Sequence, residues 1–165
     1  MKRILLLAAL VVAATALTAP GTAGIKRPAT GSATPAEKQY GTFLKPHYLP
    51  YYKATASAVK FCNRGNLAPT RCRAALTASE RAGASLLTAL GRATVPASLS
   101  RAHRQLTSSV RAVDAWFKKF VAALDSGKKA AIDKFCICGV PSNNVLTAIS
   151  EIGVVSGVNL PLPKF

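Results

Sequence analysis

The amino-acid sequence predicts an all-α protein, an up-down four-helix bundle with disulfide bonds at one end. In four long segments, apolar residues recur at intervals of three and four, the spacing of one face of an α-helix. Short stretches rich in Gly, Pro, Asn and Ser separate these segments, and short connections make successive helices antiparallel neighbours. The predicted helices cover about residues 46–62, 69–90, 97–125 and 142–155.

The first 23 residues have the organisation of a secretory signal peptide. Lys2 and Arg3 precede a run of 16 uncharged residues, Ile4 to Ala19, and small residues follow at the expected cleavage site. At about 1.5 Å per residue this run reaches about 24 Å, less than the roughly 30 Å hydrocarbon core of a bilayer. We therefore expect residues 1–23 to be removed and the protein to be secreted; an uncleaved membrane anchor is the alternative.

The rest of the chain divides into a leader and one domain. Residues 24–36 are rich in Pro, Gly, Ser and Thr and have no apolar period, which indicates a flexible leader. Residues 37–165 are enough for one hydrophobic core, and we expect them to form a single helical-bundle domain.

The first predicted helix covers residues 46–62. Tyr48, Tyr52 and Cys62 lie on one face at helical spacing. Pro50 fits the first turn of this helix, because the first N–H groups of a helix have no internal partner.

The tyrosines around the start of this helix form a candidate contact surface. Tyr40, Tyr51 and Tyr52 lie near Lys45 and Lys53 in the sequence, so their rings could stack on bases or sugars. The interpretation we favour is an arm that wraps the bundle and buries its rings. Because Tyr51 lies off the apolar face of the predicted helix, we expect its ring to be exposed.

The second and third predicted helices carry the clearest apolar faces. The second starts at Pro69, and its inward positions are small in the middle, which allows a neighbouring helix to approach closely. These positions are Cys72, Leu76, Ser79, Gly83, Leu86, Leu87 and Leu90. The third has an apolar stripe over four heptads, formed by Leu99, Ala102, Leu106, Val110, Val113, Phe117, Phe120 and Leu124.

The last helix is predicted after a short helical turn within residues 128–135. Pro141 precedes it, and Val145, Ile149 and Ile152 would face inward. Since Val and Ile also favour strands, a strand from Ile152 to Leu160 is the alternative.

The cysteines indicate an oxidising compartment. Their even number favours two structural disulfide bonds. The four are Cys62, Cys72, Cys136 and Cys138. In an up-down bundle the two connections that contain them meet at one end, so bonds between the helical hairpins and the local pairs Cys62–Cys72 and Cys136–Cys138 are both open. A bridge across one intervening residue would be strained and easily reduced, which makes a redox site one alternative. A four-thiolate zinc site is another, although the spacing departs from that of common zinc knuckles.

The charge is strongly unbalanced and suggests an anionic partner. Lys and Arg number 22 against 6 Asp and Glu, a formal charge of +16. Such a balance favours association with nucleic acid, anionic lipid or an acidic envelope polymer. On the third helix, the side opposite the apolar stripe carries the candidate polyanion-binding residues Arg101, Arg104, Arg111, Lys118 and Lys119. The alternative is a solvated helix face whose charge only keeps the protein soluble.

No pattern in the sequence indicates catalysis. His47 and His103 are the only histidines, and the carboxylates are spread singly along the chain. The sequence contains no nucleophile elbow, phosphate-binding Gly loop or dinucleotide fingerprint. We therefore expect a secreted, non-enzymatic binding protein without a metal or cofactor. The alternatives are an accessory protein that meets a specific partner through its Tyr-rich segment, and a cysteine-based redox or metal site.

Overall fold

The computed structural model describes residues 32–63, 67–135 and 140–162, which form five α-helices and no β-strand. The helices are α1 (Pro35–Phe61), α2 (Pro69–Arg92), α3 (Ser100–Asp125), α4 (Lys129–Ile132) and α5 (Asn143–Ser156), and a 3-10 turn at Ala97–Leu99 leads into α3. The all-α class predicted from the sequence is confirmed. The predicted signal peptide lies outside the described residues.

Helix α1 begins eleven residues before its predicted start, at Pro35. The Thr34 side chain accepts a hydrogen bond from the backbone N–H of Glu37, and the Glu37 carboxylate accepts one from the backbone N–H of Thr34. This reciprocal capping box satisfies two N–H groups that the helix cannot pair internally. The Glu37 carboxylate also accepts a hydrogen bond from the Ser98 hydroxyl, which lowers its pKa. The helix therefore includes the last two residues of the predicted leader, Pro35 and Ala36.

Two prolines lie inside α1 and explain why the sequence predicted a later start. Pro46 and Pro50 each remove a backbone hydrogen bond, at a cost of roughly 3 kcal/mol in a helix interior. The buried face of the helix offsets this cost, since Leu44 before the prolines, Tyr48 between them and Tyr51 after them are almost fully buried. Each such side chain contributes about 1.5–3 kcal/mol by leaving water.

Helices α2 and α3 bury the faces that their periodicity predicts. All the predicted inward residues of α3 except Leu124 are buried, and Leu124 packs against the core at partial burial. On α2, Leu87 is half-buried, whereas the neighbouring Ala75 and Ala89 are buried. Gly83 lies in the small middle section of α2, and a Cβ atom there would be 3.5 Å from the Tyr51 ring. The small residues therefore let an aromatic side chain of α1 lie directly on α2.

The last segment is a helix, and the alternative strand is wrong. Helix α5 continues to Ser156 and ends at Gly157, whose φ of +66° is a left-handed conformation that glycine adopts without strain. The chain then turns back along the bundle. Leu160 is buried there, and the Tyr48 hydroxyl donates a hydrogen bond to the carbonyl of Pro161 at 3.1 Å.

Each of the four long helices packs against two of the others. Helix α1 packs against α2 and α5, and α3 packs against the same two helices. The short α4 packs on α3, and beyond it the Phe135 ring stacks on Phe120 at 5.1 Å and meets Trp116 edge-on at 5.4 Å. In the part of the chain that the structure describes, no helix has both the length and the apolarity to cross a bilayer.

Gly41 and Gly91 provide a matched test of the contact between α1 and α5. A Cβ atom at Gly41 would lie 2.7 Å from the Cβ of buried Ser156 and 2.9 Å from the Val158 side chain, whereas one at Gly91 would meet no atom within 4 Å. Gly41→Ala should lower the free energy of unfolding by about 1–3 kcal/mol through overpacking. Gly91→Ala should leave it unchanged or raise it by up to about 1 kcal/mol. Urea denaturation measures both, and equal effects would contradict the close approach.

Candidate functional site

The outer face of α3 is the most basic surface that the sequence predicted. All five of its predicted binding residues are exposed, and they lie within about 100° of arc on the side opposite the buried stripe. We call this set the α3 basic face: Arg101, Arg104, Arg111, Lys118 and Lys119. The structure thus brings the predicted residues together on one surface.

Two members of the α3 basic face are engaged by carboxylates. One guanidinium nitrogen of Arg101 lies 3.0 Å from both carboxylate oxygens of Glu151 on α5, whose side chain is only 10% exposed. The Lys118 ammonium lies 2.9 Å from Asp114, one helical turn away. This hydrogen bond raises the pKa of Lys118. Both cations are themselves exposed, so each pair contributes only modestly to stability.

The other three members of the face meet no carboxylate in the described part of the chain. Arg104, Arg111 and Lys119 form no ion pair within the described residues. Exposed small side chains, Ala115 and Ala122, lie on the same side of the helix. The long cationic side chains therefore extend beyond the small side chains between them, so an extended ligand could contact several cations at once.

The acidic residues account for this distribution of charge. Outside the α3 basic face, Asp125 pairs with Arg73 of α2, and Asp133 pairs with Lys129. Glu80 of α2 is half-buried, and burial, together with the nearby Asp114 carboxylate, raises its pKa. Arg73 therefore does not extend the basic face as a free cation.

Two of the three candidate contact tyrosines are buried. Tyr40 and Tyr51 are only 2% and 3% exposed, and Tyr52 is half-buried. The expectation that Tyr51 is exposed is wrong, because the buried side of α1 passes through Tyr51 rather than Tyr52, and the Tyr51 ring lies on Gly83. Burial raises the pKa of Tyr40 to about 12 and raises that of Tyr51 as well. These rings are therefore core residues rather than a stacking surface.

One polar contact crosses the core near the start of α3. The Tyr40 hydroxyl and Nδ1 of His103 are 2.8 Å apart and form a hydrogen bond. Burial of the imidazole, and then the neighbouring Arg104 guanidinium, lower the pKa of His103 from its ordinary value of 6.5. The fold therefore favours the neutral ring.

Cys62 and Cys72 form a local disulfide bond that joins the end of α1 to the start of α2. Their Cα atoms are 4.9 Å apart. Pairing of either residue with a cysteine of the other hairpin, one of the alternatives that the sequence left open, does not occur. Cys136 and Cys138 lie outside the described residues, and no His, Cys, Asp or Glu group within those residues is arranged to hold a metal ion.

A second set of cations was missed by the sequence analysis. Lys38, Lys45, Lys53 and Lys60 follow one another on α1 at intervals of seven and eight residues, and all four are exposed. The signal was present in the sequence as a near-heptad spacing of lysines. It was not recognised because the predicted helix began at Pro46, which left two of the four lysines outside it.

Comparisons with protein-family models, with curated proteins and with solved structures find no significant match. No relative therefore points to a ligand, and only the chain's own side chains indicate the chemistry of its surfaces.

The lowered pKa of His103 predicts how acid affects stability. Since the unfolded chain takes up the His103 proton first as the pH falls below about 6.5, the free energy of unfolding should decrease from pH 7 towards the lower pKa of the folded state. Glu80, with its raised pKa, acts in the opposite direction. His103→Gln should therefore lose less stability than the wild type between pH 7 and 5 in urea denaturation. Parallel pH profiles for the two proteins would show that His103 does not contribute.

Proposed function

We propose that this protein is a secreted, cationic, non-enzymatic binding protein that engages a linear polyanion through the α3 basic face. The observation that carries the proposal is the distribution of counter-charge on this face. Two of its cations, Arg101 and Lys118, are held by carboxylates, whereas Arg104, Arg111 and Lys119 are exposed and form no ion pair within the described residues. A fixed surface with several unpaired cations attracts a polyanion by releasing its condensed counterions.

The proposal includes an up-down bundle of the four long helices, with the predicted disulfide at one end. The Cys62–Cys72 bond supports antiparallel α1 and α2, because it joins the end of one to the start of the next. Arg73 near the start of α2 pairs with Asp125 at the end of α3, which supports the same relation for that pair. This bundle would present the α3 basic face on an outer corner.

The residue types on the face favour phosphate or carboxylate groups. Arg104 and Arg111 are seven residues apart, which separates them by about 10.5 Å along the helix axis. Each guanidinium can donate two parallel hydrogen bonds to one anionic group, which an ammonium cannot do. A chain with regularly repeated anionic groups could therefore meet successive arginines.

A linear polymer is favoured over a lipid surface. Helices that bind membranes by lying in the interface combine cations with large exposed apolar side chains. Among the described residues, the exposed large apolar side chains are Val154 and Leu162, which belong to α5 and the segment after it. The α3 basic face has only small side chains between its cations, so it has little to insert into a bilayer.

The competing functions have weaker support. A partner docked on the Tyr-rich segment would find Tyr40 and Tyr51 buried. Charge that serves only solubility remains the direct competitor, and the experiment below separates it from specific binding.

Removing the three unpaired cations should weaken polyanion binding. Arg104→Gln, Arg111→Gln and Lys119→Gln together should reduce affinity for duplex DNA, used as a defined phosphate polymer. The slope of log K against log salt should become less steep by about 1 to 3, since each lost phosphate contact removes about 0.9. Fluorescence anisotropy over a salt series measures both quantities, and vesicles rich in anionic lipid test the membrane alternative.

A charge-matched variant provides the control. Arg71→Gln, Arg81→Gln and Arg92→Gln together remove three exposed cations from α2, none of which forms an ion pair within the described residues. This variant should keep most of the wild-type slope. If the wild type binds neither duplex DNA nor vesicles, or if both variants lose the same affinity, the α3 basic face is not a binding site. Binding to vesicles alone would replace the polymer with a membrane surface.

A further inference from the structure

The outer surface of α1 is a second cationic face, which we call the α1 lysine line: Lys38, Lys45, Lys53 and Lys60. At 100° per residue, the four positions lie within about 80° of arc. They are opposite the buried side of α1, which holds Tyr40, Leu44, Tyr48, Tyr51 and Ala58. The line runs about 33 Å along the helix axis, from the first turn to the last.

In the part of the chain that the structure describes, no carboxylate neutralises the α1 lysine line. None of its four ammonium groups forms an ion pair within the described residues. The only acidic residue of α1 is Glu37, whose carboxylate is hydrogen-bonded to Thr34 and Ser98. The line is therefore longer than the α3 basic face and less neutralised.

The two cationic faces point away from each other. Helices α1 and α3 each pack against both α2 and α5, which places α1 and α3 at opposite corners of the helical packing. Each directs its apolar side into the shared core, where Tyr40 of α1 reaches His103 of α3. Their charged sides consequently face solvent in opposite directions.

We propose that one molecule bridges two polyanion chains, holding one on the α3 basic face and a second on the α1 lysine line. This inference rests on the proposed function. A duplex is stiff over about 500 Å, so a short one cannot bend around a single small domain to occupy both faces. For short duplexes, filling both faces therefore requires two molecules, and the protein then acts as a cross-linker of phosphate-bearing chains.

The residue types suit this division of roles. Lysine ammonium groups on flexible stems make diffuse, sequence-independent phosphate contacts, as they do along other polyanion-binding surfaces. Within the arc of the lysines, Thr42 is exposed and the large apolar residue Leu49 is only partly exposed. As on α3, a polymer fits this surface better than a bilayer.

A two-duplex capture experiment tests bridging. A biotinylated duplex of 30 base pairs is fixed to beads, the protein is added, and a fluorescent duplex without biotin is supplied at moderate salt. The wild type should retain the second duplex on the beads. Retention should rise and then fall as protein is increased, because excess protein occupies each duplex separately.

The variants locate the second site. Lys38→Gln, Lys45→Gln, Lys53→Gln and Lys60→Gln together should still bind the fixed duplex but should reduce capture of the second at least tenfold. A charge-matched control, Arg71→Gln, Arg81→Gln, Arg92→Gln and Lys134→Gln, loses the same four charges elsewhere and should keep capture within about threefold. Thermal unfolding followed by circular dichroism verifies that both variants are folded.

Each other outcome overturns a defined claim. If the wild type binds the fixed duplex but captures no second one, bridging fails while the proposed function stands. If no protein binds the fixed duplex, the proposed function fails and bridging with it. Equal loss of capture in both variants would mean that net charge alone condenses the polymer. Undiminished capture by the α1 variant would mean that bridging uses another surface, such as two α3 basic faces of a dimer.

Discussion

This molecule has few acidic side chains, and their positions decide which of its many cations are paired. The chain has 6 carboxylates for 22 Lys and Arg residues. Several of those carboxylates join different parts of the fold: Glu37 accepts a hydrogen bond from Ser98, Asp125 pairs with Arg73, and Glu151 pairs with Arg101. Since these acids lie where segments meet, the outer sides of α1 and α3 keep most of their positive charge.

The core makes that arrangement possible. The apolar stripe of α3 and the tyrosine-rich side of α1 pack in the same core. The cationic side of each helix therefore faces solvent. Self-repulsion among these cations destabilises the compact state, and the Cys62–Cys72 bond offsets part of it by restricting the unfolded chain. Exposed ion pairs contribute little in comparison, so apolar burial and the disulfide have to stabilise a surface that repels itself.

The sequence predicted some elements far better than others. The bounds and buried positions of α3 were largely correct because its helical period is uninterrupted over the whole helix. The predicted start of α1 was wrong because proline is typical of the first turn of a helix. The capping box at Thr34 and the packing of the tyrosines instead stabilise a helix that begins earlier and continues past Pro46 and Pro50. The same error concealed the α1 lysine line, whereas the wrong expectation for Tyr51 came from placing the apolar face on Tyr52 instead of Tyr51.

By itself, the sequence determined the helical class, the approximate course of α2, α3 and α5, the excess of positive charge and the membership of the α3 basic face. These are local properties, because periodicity and composition need no knowledge of what lies across the core. The tertiary structure alone decided which cations meet a carboxylate, which tyrosines are buried and which cysteine Cys62 joins. Those outcomes depend on contacts between separate segments: Glu151 reaches Arg101 from α5, and Gly83 receives the Tyr51 ring, only when the helices pack.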